Sequence, residues 1–224
     1  MKIGIIIAMD IEYRKMCESL GGKTQGRING NEVVLWQCGI GKVNAAIGTM
    51  RLIAQHHPDC IISTGLAGGI DNSLQVMDVV IGSQTAYHDV WCGEGNELGQ
   101  VQGLPARFDA DSRLLSCAQA ASESGEHPAV AGLICTGDQF ITDKSSLAEI
   151  KSHFPDALAC EMESAAIAHT CYLQQVPFLS IRVVSDTPGN TDNHQQQWTD
   201  FLASMSEQSF LFVSHFLQNI PQQF

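Results

Sequence analysis

The sequence predicts an α/β fold with a largely parallel sheet. Apolar runs bounded by turn residues alternate with stretches in which apolar residues recur every three or four positions, as in buried strands that alternate with amphipathic helices. Of the 224 residues, 44% are hydrophobic and 16% are charged, which is enough apolar material for a sizeable core. No linker, internal repeat or low-complexity tract divides the chain, so we expect a single domain over residues 1–224.

The first elements follow from short apolar runs and their flanking residues. The isoleucine-rich run predicts a buried strand over residues 2–8, and a short helix follows over 11–20. The turn Asn29-Gly30-Asn31 predicts that two further strands pair with each other, over residues 24–28 and 32–38. Apolar residues at spacings of three and four predict a helix over 43–56, and Pro58 is a typical stop signal after it.

The middle of the chain combines two strands with a long loop. An apolar run over residues 59–64 predicts a strand that leads into a glycine-rich turn over 65–69, and a second strand is expected over 76–86. Residues 91–107 contain four glycines and Pro105 and have no periodicity, so we expect a loop there. Loops of this length inside compact domains are usually functional or mobile.

Strands and helices alternate over the rest of the chain. We expect strands over residues 129–136 and 178–184, and helices over 112–122, 145–154, 163–174 and 198–219. The last of these has an amphipathic pattern and would be a long C-terminal helix.

Charge and cysteine usage exclude several classes of function. Twelve basic residues against 24 acidic ones give a net charge of −12, which disfavours binding to nucleic acid or to anionic membranes. No apolar stretch approaches the roughly 18 residues of a membrane span, and the acidic residues after the first strand are no secretion cleavage site, so we expect a cytoplasmic protein. The eight cysteines and eight histidines lack the spacing of a metal site or a redox pair. The segment Gly39-Ile40-Gly41-Lys42 lacks the spacing of a nucleotide-phosphate loop, so we expect neither metal nor cofactor.

Acidic residues follow the ends of several predicted strands. In open α/β sheets, ligands bind beyond the carboxyl ends of the strands. Glu12 follows the first strand, Asp186 follows the last one, and Glu163 lies just after the apolar run 157–160. Taken singly, each is better explained by a helix start or a turn. Their arrangement instead predicts that three carboxylates converge on one crevice.

Six segments in order resemble the 5′-methylthioadenosine/S-adenosylhomocysteine nucleosidases. They span nearly the whole chain, and each alone is weak, whereas the ordered set is specific. The segments are residues 3–12 (IGIIIAMDIE), 39–46 (GIGKVNAA), 64–69 (TGLAGG), 136–141 (TGDQFI), 161–166 (EMESAA) and 182–186 (RVVSD).

The resemblance implies a nucleoside-phosphorylase-like fold, with a central mixed, partly barrel-like sheet flanked by helices, and a homodimer. It also implies hydrolysis of the bond between adenine and the ribose of 5′-thio nucleosides, without a cofactor. By this resemblance Glu12 activates water, and Asp186 protonates the purine at ring position seven. The substrate-binding residues that it implies are Ala8, Met9, Ile40, Phe140, Ile141, Met162, Glu163, Arg182, Ser185 and Trp198. Among these, Glu163 would hold the ribose hydroxyls, with Met162 against the sugar, and Phe140 would stack on adenine.

Other functions remain open on the sequence alone. Phosphorylases share the fold but need arginines for phosphate, and only Arg182 falls in a matched segment. A hydrolase of a related adenine nucleoside, such as aminodeoxyfutalosine or 5′-deoxyadenosine, would use the same residues. A non-catalytic adenosine sensor would not need both Glu12 and Asp186. Leu66, where many relatives carry Ser, and the unusual segments 92–97 and 187–197 leave the preferred 5′ substituent open.

Overall fold

The protein is described from a computed structural model that covers residues 1–124, 129–188, 193–204 and 210–223. Nine strands and seven helices occur in these ranges. The strands are β1 (Lys2–Ile7), β2 (Gln25–Ile28), β3 (Asn31–Gln37), β4 (Cys60–Gly69), β5 (Val79–Tyr87), β6 (Phe108–Asp109), β7 (Ala129–Thr136), β8 (Ala157–Glu161) and β9 (Phe178–Asp186). The helices are α1 (Asp10–Ser19), α2 (Lys42–His56), α3 (Ser112–Ser124), α4 (Lys144–His153), α5 (Ser164–Gln174), α6 (His194–Ser204) and α7 (Leu211–Asn219).

Five strands close into a ring. β4 pairs with β8, β8 with β7, β7 with β5, β5 with β9, and β9 returns to β4. Outside the ring, β1, β3 and β2 continue the sheet from β4, and β6 adds to β5. The α/β class and the mixed, barrel-like sheet flanked by helices are therefore confirmed.

The sheet is less parallel than the alternation of strands and helices suggested. The pairs β2–β3, β4–β8, β5–β6 and β5–β9 are antiparallel. Alternation of elements along the chain does not fix the strand direction once a sheet curls back on itself, because β9 contacts β4 on one edge and β5 on the other.

Two local predictions were wrong. The expected glycine-rich turn over residues 65–69 is the second half of β4, which runs without interruption from Cys60 to Gly69. The run 157–160, to which no strand was assigned, forms β8 together with Glu161, so that the following helix begins only at Ser164. In both places small residues hid a strand, because Gly and Ala carry little strand propensity but fit where strands cross closely.

The expected single C-terminal helix is also wrong. α6 ends at Ser204, and a separate helix α7 begins at Leu211 with Phe210 as its N-cap residue. The middle of the predicted helix, residues 205–209, lies outside the described ranges. The paired strands β2 and β3 and the loop between β5 and β6 agree with the predictions.

The core fills both faces of the sheet. Isoleucines of β1 and β4 pack with the α7 side chains Phe212 and Phe216 on one face. On the other face α2 and α5 pack together, and small residues such as Ala165, Ala166 and Ala168 allow their close approach. In the described part of the chain, no helix has the length and apolar character to span a membrane.

Candidate active site

An open pocket lies beyond the carboxyl ends of several strands. Its walls come from the residues after β1 and β7, from the second half of β4, and from the ends of β8 and β9. Eleven predicted site residues line it: Ala8, Met9, Glu12, Ile40, Phe140, Ile141, Met162, Glu163, Ser185, Asp186 and Trp198. The three carboxylates that the sequence placed at separate strand ends therefore face one hollow.

Glu12 lies in the first turn of α1 and is almost fully buried, with 3% exposure. Its Oε1 accepts a hydrogen bond of 2.8 Å from the Leu66 amide, and its Oε2 accepts one of 3.1 Å from the Met9 amide. Burial raises the pKa of Glu12 to about 6, although the two amides and the charge of Arg182 oppose that rise. A carboxylate with this pKa is mainly ionised at neutral pH and can accept a proton.

Gly65 leaves the space that this carboxylate occupies. A Cβ atom at residue 65 would lie 2.9 Å from Glu12 Oε1 and 3.2 Å from Arg182 Nη1. Any side chain here would displace one of the two charged groups, so the glycine-rich sequence of β4 serves close approach rather than a turn.

Glu163 caps the beginning of α5 at another wall of the pocket. It is 8% exposed, and its Oε1 accepts a 2.8 Å hydrogen bond from the Gly41 amide at the start of α2. Burial, together with the neighbouring Glu161 charge, raises the pKa of Glu163 above its ordinary value. The carboxyl group is thus held by one amide in a site that already carries negative charge.

Glu161 ends β8 and was not among the predicted site residues. Its Oε2 pairs with Arg182 Nη2 at 2.7 Å, and it accepts hydrogen bonds from the Glu163 and Ser164 amides and from the Thr136 hydroxyl. Both partners of the ion pair have side chains that are 3% exposed. The sequence shows that Glu161 and Glu163 lie two residues apart. It does not show that Glu161 is paired with a buried arginine, which gives this glutamate a structural role.

Arg182 is the one predicted site residue that is not among the residues lining the pocket. Besides Glu161, its Nη2 lies 2.9 Å from each of the Ser63 and Ser164 hydroxyl oxygens, which accept from it. Arg182 is 2% exposed, and its guanidinium lies among the side chains of Glu161, Ser63 and Ser164. Its effect on the site passes through Glu161 and through its charge near Glu12.

Asp186 ends β9 and is 3% exposed. The hydroxyl of Ser185 lies 2.7 Å from Asp186 Oδ1 and donates to it. The register in which β4 pairs with β9 shifts at this point, because Ala67 pairs with Val184 and Gly68 with Asp186, which leaves Ser185 as an extra residue on β9. Bulges re-aim side chains at the rims of barrels, and here the shift coincides with the acidic residue that faces the pocket.

Aromatic rings form the outer wall. Phe140 is 46% exposed and lies 5.5 Å from Trp198, centroid to centroid, with the ring planes tilted by 58°. Among the described residues, Phe140 and Ile141 make no main-chain hydrogen bond, whereas Ile141 buries its side chain in the core. This wall presents an apolar face to the pocket.

The pocket is acidic and carries no described cation on its surface. Glu12, Glu161, Glu163 and Asp186 line it, and none of its described lining residues is Lys or Arg. In the described part of the chain, no cluster of His, Cys, Asp and Glu has a geometry that could hold a metal ion. Sequence reasoning also missed the lining residues Gln139, Cys160 and Pro188, because nothing in their local pattern separates them from ordinary loop and core positions.

Comparison with known proteins places the chain in a family. A family model described as the phosphorylase superfamily matches residues 2–218. A 5′-methylthioadenosine/S-adenosylhomocysteine nucleosidase from Neisseria meningitidis, in complex with methylthio-immucillin-A, is 37% identical with a TM-score of 0.91, over 98% of this chain and 99% of that chain. One from Colwellia psychrerythraea, in complex with adenine, is 38% identical with a TM-score of 0.90, over 98% and 95%. Futalosine hydrolase of Helicobacter pylori, at 24% identity and a TM-score of 0.88 over 98% of both chains, shares the fold.

Proposed function

The chain belongs to the phosphorylase superfamily and, within it, to the 5′-methylthioadenosine/S-adenosylhomocysteine nucleosidases, and we propose that it hydrolyses both of these nucleosides to adenine and a 5′-thio-ribose. The observation that carries the proposal is the convergence of Glu12, Glu163 and Asp186 on one pocket. Similar proteins bound to adenine and to a methylthio analogue support the same substrate class.

The reaction builds positive charge on the sugar as the glycosidic bond breaks. Buried carboxylates stabilise such charge strongly, because little water is present to screen them. Glu163 and Glu12 are both deeply buried in the wall of the pocket. In our proposal Glu163 binds the ribose hydroxyls and faces the developing cation, and Met162 packs against the sugar.

The leaving adenine needs a proton, because its anion is a poor leaving group. We assign this proton to Asp186, which would deliver it to the purine nitrogen at ring position seven. Ser185 orients the carboxyl group through its hydrogen bond to Oδ1. Phe140 stacks on the adenine, Ile141 binds its edge through main-chain groups, and Trp198 covers it from the side of α6.

Glu12 activates the attacking water in this scheme. Its raised pKa of about 6 makes it a better base than an exposed carboxylate and still leaves it ionised at neutral pH. Ala8, Met9 and Ile40 line the same part of the pocket and limit the access of bulk water. Each acid–base contribution of this kind is typically worth about 10²–10⁴-fold in rate.

Water rather than phosphate is the proposed nucleophile. A phosphate dianion would meet the acidic groups of the pocket wall, and no described lining residue offers it a positive side chain. We expect adenine release from methylthioadenosine at the same rate with and without phosphate, measured by chromatography of the products. Strict dependence on phosphate would overturn the hydrolase proposal, and binding without any turnover would favour a sensor.

The 5′ substituent is the open part of this proposal. A panel of methylthioadenosine, S-adenosylhomocysteine, 5′-deoxyadenosine, aminodeoxyfutalosine and plain adenosine would rank the candidates by kcat/KM. We expect the two thio-nucleosides to rank highest. A clear preference for one of the others would reassign the substrate and leave the reaction unchanged.

We also propose that the protein acts as a homodimer. Val43, Ile47 and Met50 form an exposed apolar stripe on α2, at helical spacing, and exposed Ile40 precedes it at the mouth of the pocket. A second copy of the chain would cover this stripe. Ile47→Asp is expected to give monomers in analytical ultracentrifugation where the wild type gives dimers, and a monomeric wild type would overturn the proposal.

A further inference from the structure

An ion pair outside the pocket holds the start of the loop that carries Phe140. Lys42 Nζ lies 2.7 Å from each carboxylate oxygen of Asp89, so the pair is bidentate. Asp89 Oδ2 also accepts a 2.9 Å hydrogen bond from the Asp138 amide. Asp138 is two residues before Phe140, and neither Lys42 nor Asp89 lines the pocket.

The same group of residues fixes the beginning of α2. No side chain of Gly41 is available to cap this helix, and Asp138 takes that role from a distance of 96 residues, its Oδ1 accepting from the Lys42 amide at 2.8 Å. The adjacent Gly41 amide donates to Glu163. Asp138 therefore connects the loop that carries Phe140 to the start of α2, where the Gly41 amide binds Glu163, the proposed ribose-binding carboxylate. We call this connection the anchor.

Close steric contacts also limit which residues can occupy positions 41 and 137. Gly41 has a φ of +92°, and a Cβ atom there would lie 3.0 Å from Asp138 Oδ1. A Cβ atom at Gly137 would overlap the His88 ring, so the chain turns directly against the residue that precedes Asp89. Both glycines allow the two segments to approach more closely than any other residue would.

The ion pair is partly shielded from water. The side chains of Lys42 and Asp89 are 21% and 20% exposed, and Lys42 Nζ lies 5.6 Å above the centre of the Tyr87 ring. Burial alone would raise the pKa of Asp89, but hydrogen bonds from Lys42 and the Asp138 amide outweigh it and lower that pKa. A hydrogen bond to a charged group stabilises a protein more than a hydrogen bond between neutral groups does. Because this ion pair is partly exposed to water, its contribution to stability is smaller than that of a fully buried pair.

We propose that Asp89, through its contacts with Lys42 and Asp138, is a positioning residue that sets the distance between the purine-binding loop and the ribose-binding carboxylate. This inference rests on the proposed function, because it assigns the two ends of the nucleoside to those two walls. Asp89 touches neither substrate nor reacting atoms, so its loss changes how well the nucleoside is bound and leaves the chemical groups in place.

The test compares Asp89→Ala with Asp156→Ala. Asp156 forms a similar bidentate ion pair with Arg107, at 2.6 and 3.1 Å, and does not line the pocket. Hydrogen exchange is measured on the ligand-free proteins at the amides of residues 137–141, and kcat and KM are measured with methylthioadenosine. We expect Asp89→Ala to speed exchange at Asp138 and to raise KM about 10-fold with kcat within about threefold, whereas Asp156→Ala changes neither.

Two further variants separate positioning from simple destabilisation. Asp89→Asn retains an oxygen for the Asp138 amide but loses the charge that binds Lys42, and we expect an intermediate KM. In a double-mutant cycle, Lys42→Met and Asp89→Ala are expected to be clearly non-additive in KM.

Unchanged hydrogen exchange at the Asp138 amide in Asp89→Ala would show that Asp89 does not hold this loop. Faster exchange with an unchanged KM would show that this contact does not affect nucleoside binding. If the wild-type protein neither hydrolyses methylthioadenosine nor binds adenine, the proposed function is wrong, and so is the role of Asp89 in substrate binding. A functional wild type whose Asp89→Ala variant behaves like Asp156→Ala would overturn the positioning role alone.

Discussion

The two sides of the pocket are built differently. The proposed sugar side, with Glu12, Glu161 and Glu163, is held by main-chain amides and by the Arg182 ion pair. The proposed purine side, with residues 139–141 and Trp198, consists of loop and helix surface, and Phe140 is 46% exposed. Charge stabilisation requires fixed groups in a dry site, whereas recognition of a flat apolar base tolerates a more open wall. The difference indicates that rate depends on the first side and affinity mainly on the second.

The largest effect on rate is expected from Glu12→Gln. Gln keeps the size of the side chain but cannot accept a proton from water, and its amide nitrogen opposes one of the two donor amides. We expect kcat for methylthioadenosine to fall about 10²–10⁴-fold. Glu18→Gln, on the same helix but exposed and paired with Lys15, is the matched control and should keep wild-type kcat. Near-normal turnover of Glu12→Gln would contradict the proposal that Glu12 is the base that activates water.

The next effect concerns stability and Arg182. Arg182→Met leaves Glu161 buried without its counter-ion, which typically costs about 3–5 kcal/mol. For a protein of this size we expect Tm to fall by roughly 6–20 °C in differential scanning calorimetry. Arg107→Met removes a partly exposed partner of Asp156 and should cost about 1 kcal/mol or less. Equal losses for the two variants would show that the sugar side is no more firmly held than the surface.

The smallest effect is expected on the purine side. Phe140→Ala removes the proposed stacking partner of adenine, and loss of one aromatic contact is typically worth about 1–3 kcal/mol. We expect adenine to bind about 10-fold more weakly in isothermal titration calorimetry, with kcat nearly unchanged. Tyr172→Ala, an exposed aromatic outside the pocket, is the control. A loss of kcat that matches the loss of affinity would mean that both sides contribute to rate.

The same contrast explains what the sequence could predict. Glu12, Glu163 and Asp186 were found because acidic residues directly after apolar runs stand out, and strand ends meet at one edge of a sheet. The proposed roles of Phe140 and Trp198 and the mixed, barrel-like sheet came from the resemblance, since nothing in the local pattern marks these two residues as binding a purine.

Contacts between distant segments could not be predicted. The placement of Arg182 depends on which face of β9 meets Ser63 and Ser164, and the Gly41–Glu163 hydrogen bond joins residues 122 positions apart. β4 was read as a strand and a turn because its glycines look like turn residues, whereas they make room for Glu12 and for the crossing of strands. Local sequence propensity predicts secondary structure poorly where tertiary packing determines which residue type is needed.

The central claim is that fixed carboxylates stabilise a sugar cation while Asp186 supplies the proton that lets adenine leave. The most direct measurement compares methylthioadenosine with the p-nitrophenyl glycoside of 5-methylthioribose, whose leaving group needs no proton. We predict that Asp186→Asn loses at least about 10²-fold in kcat on methylthioadenosine but stays within about threefold of wild type on the glycoside, whereas Glu12→Gln loses activity on both. Equal losses of Asp186→Asn on the two substrates would contradict the account.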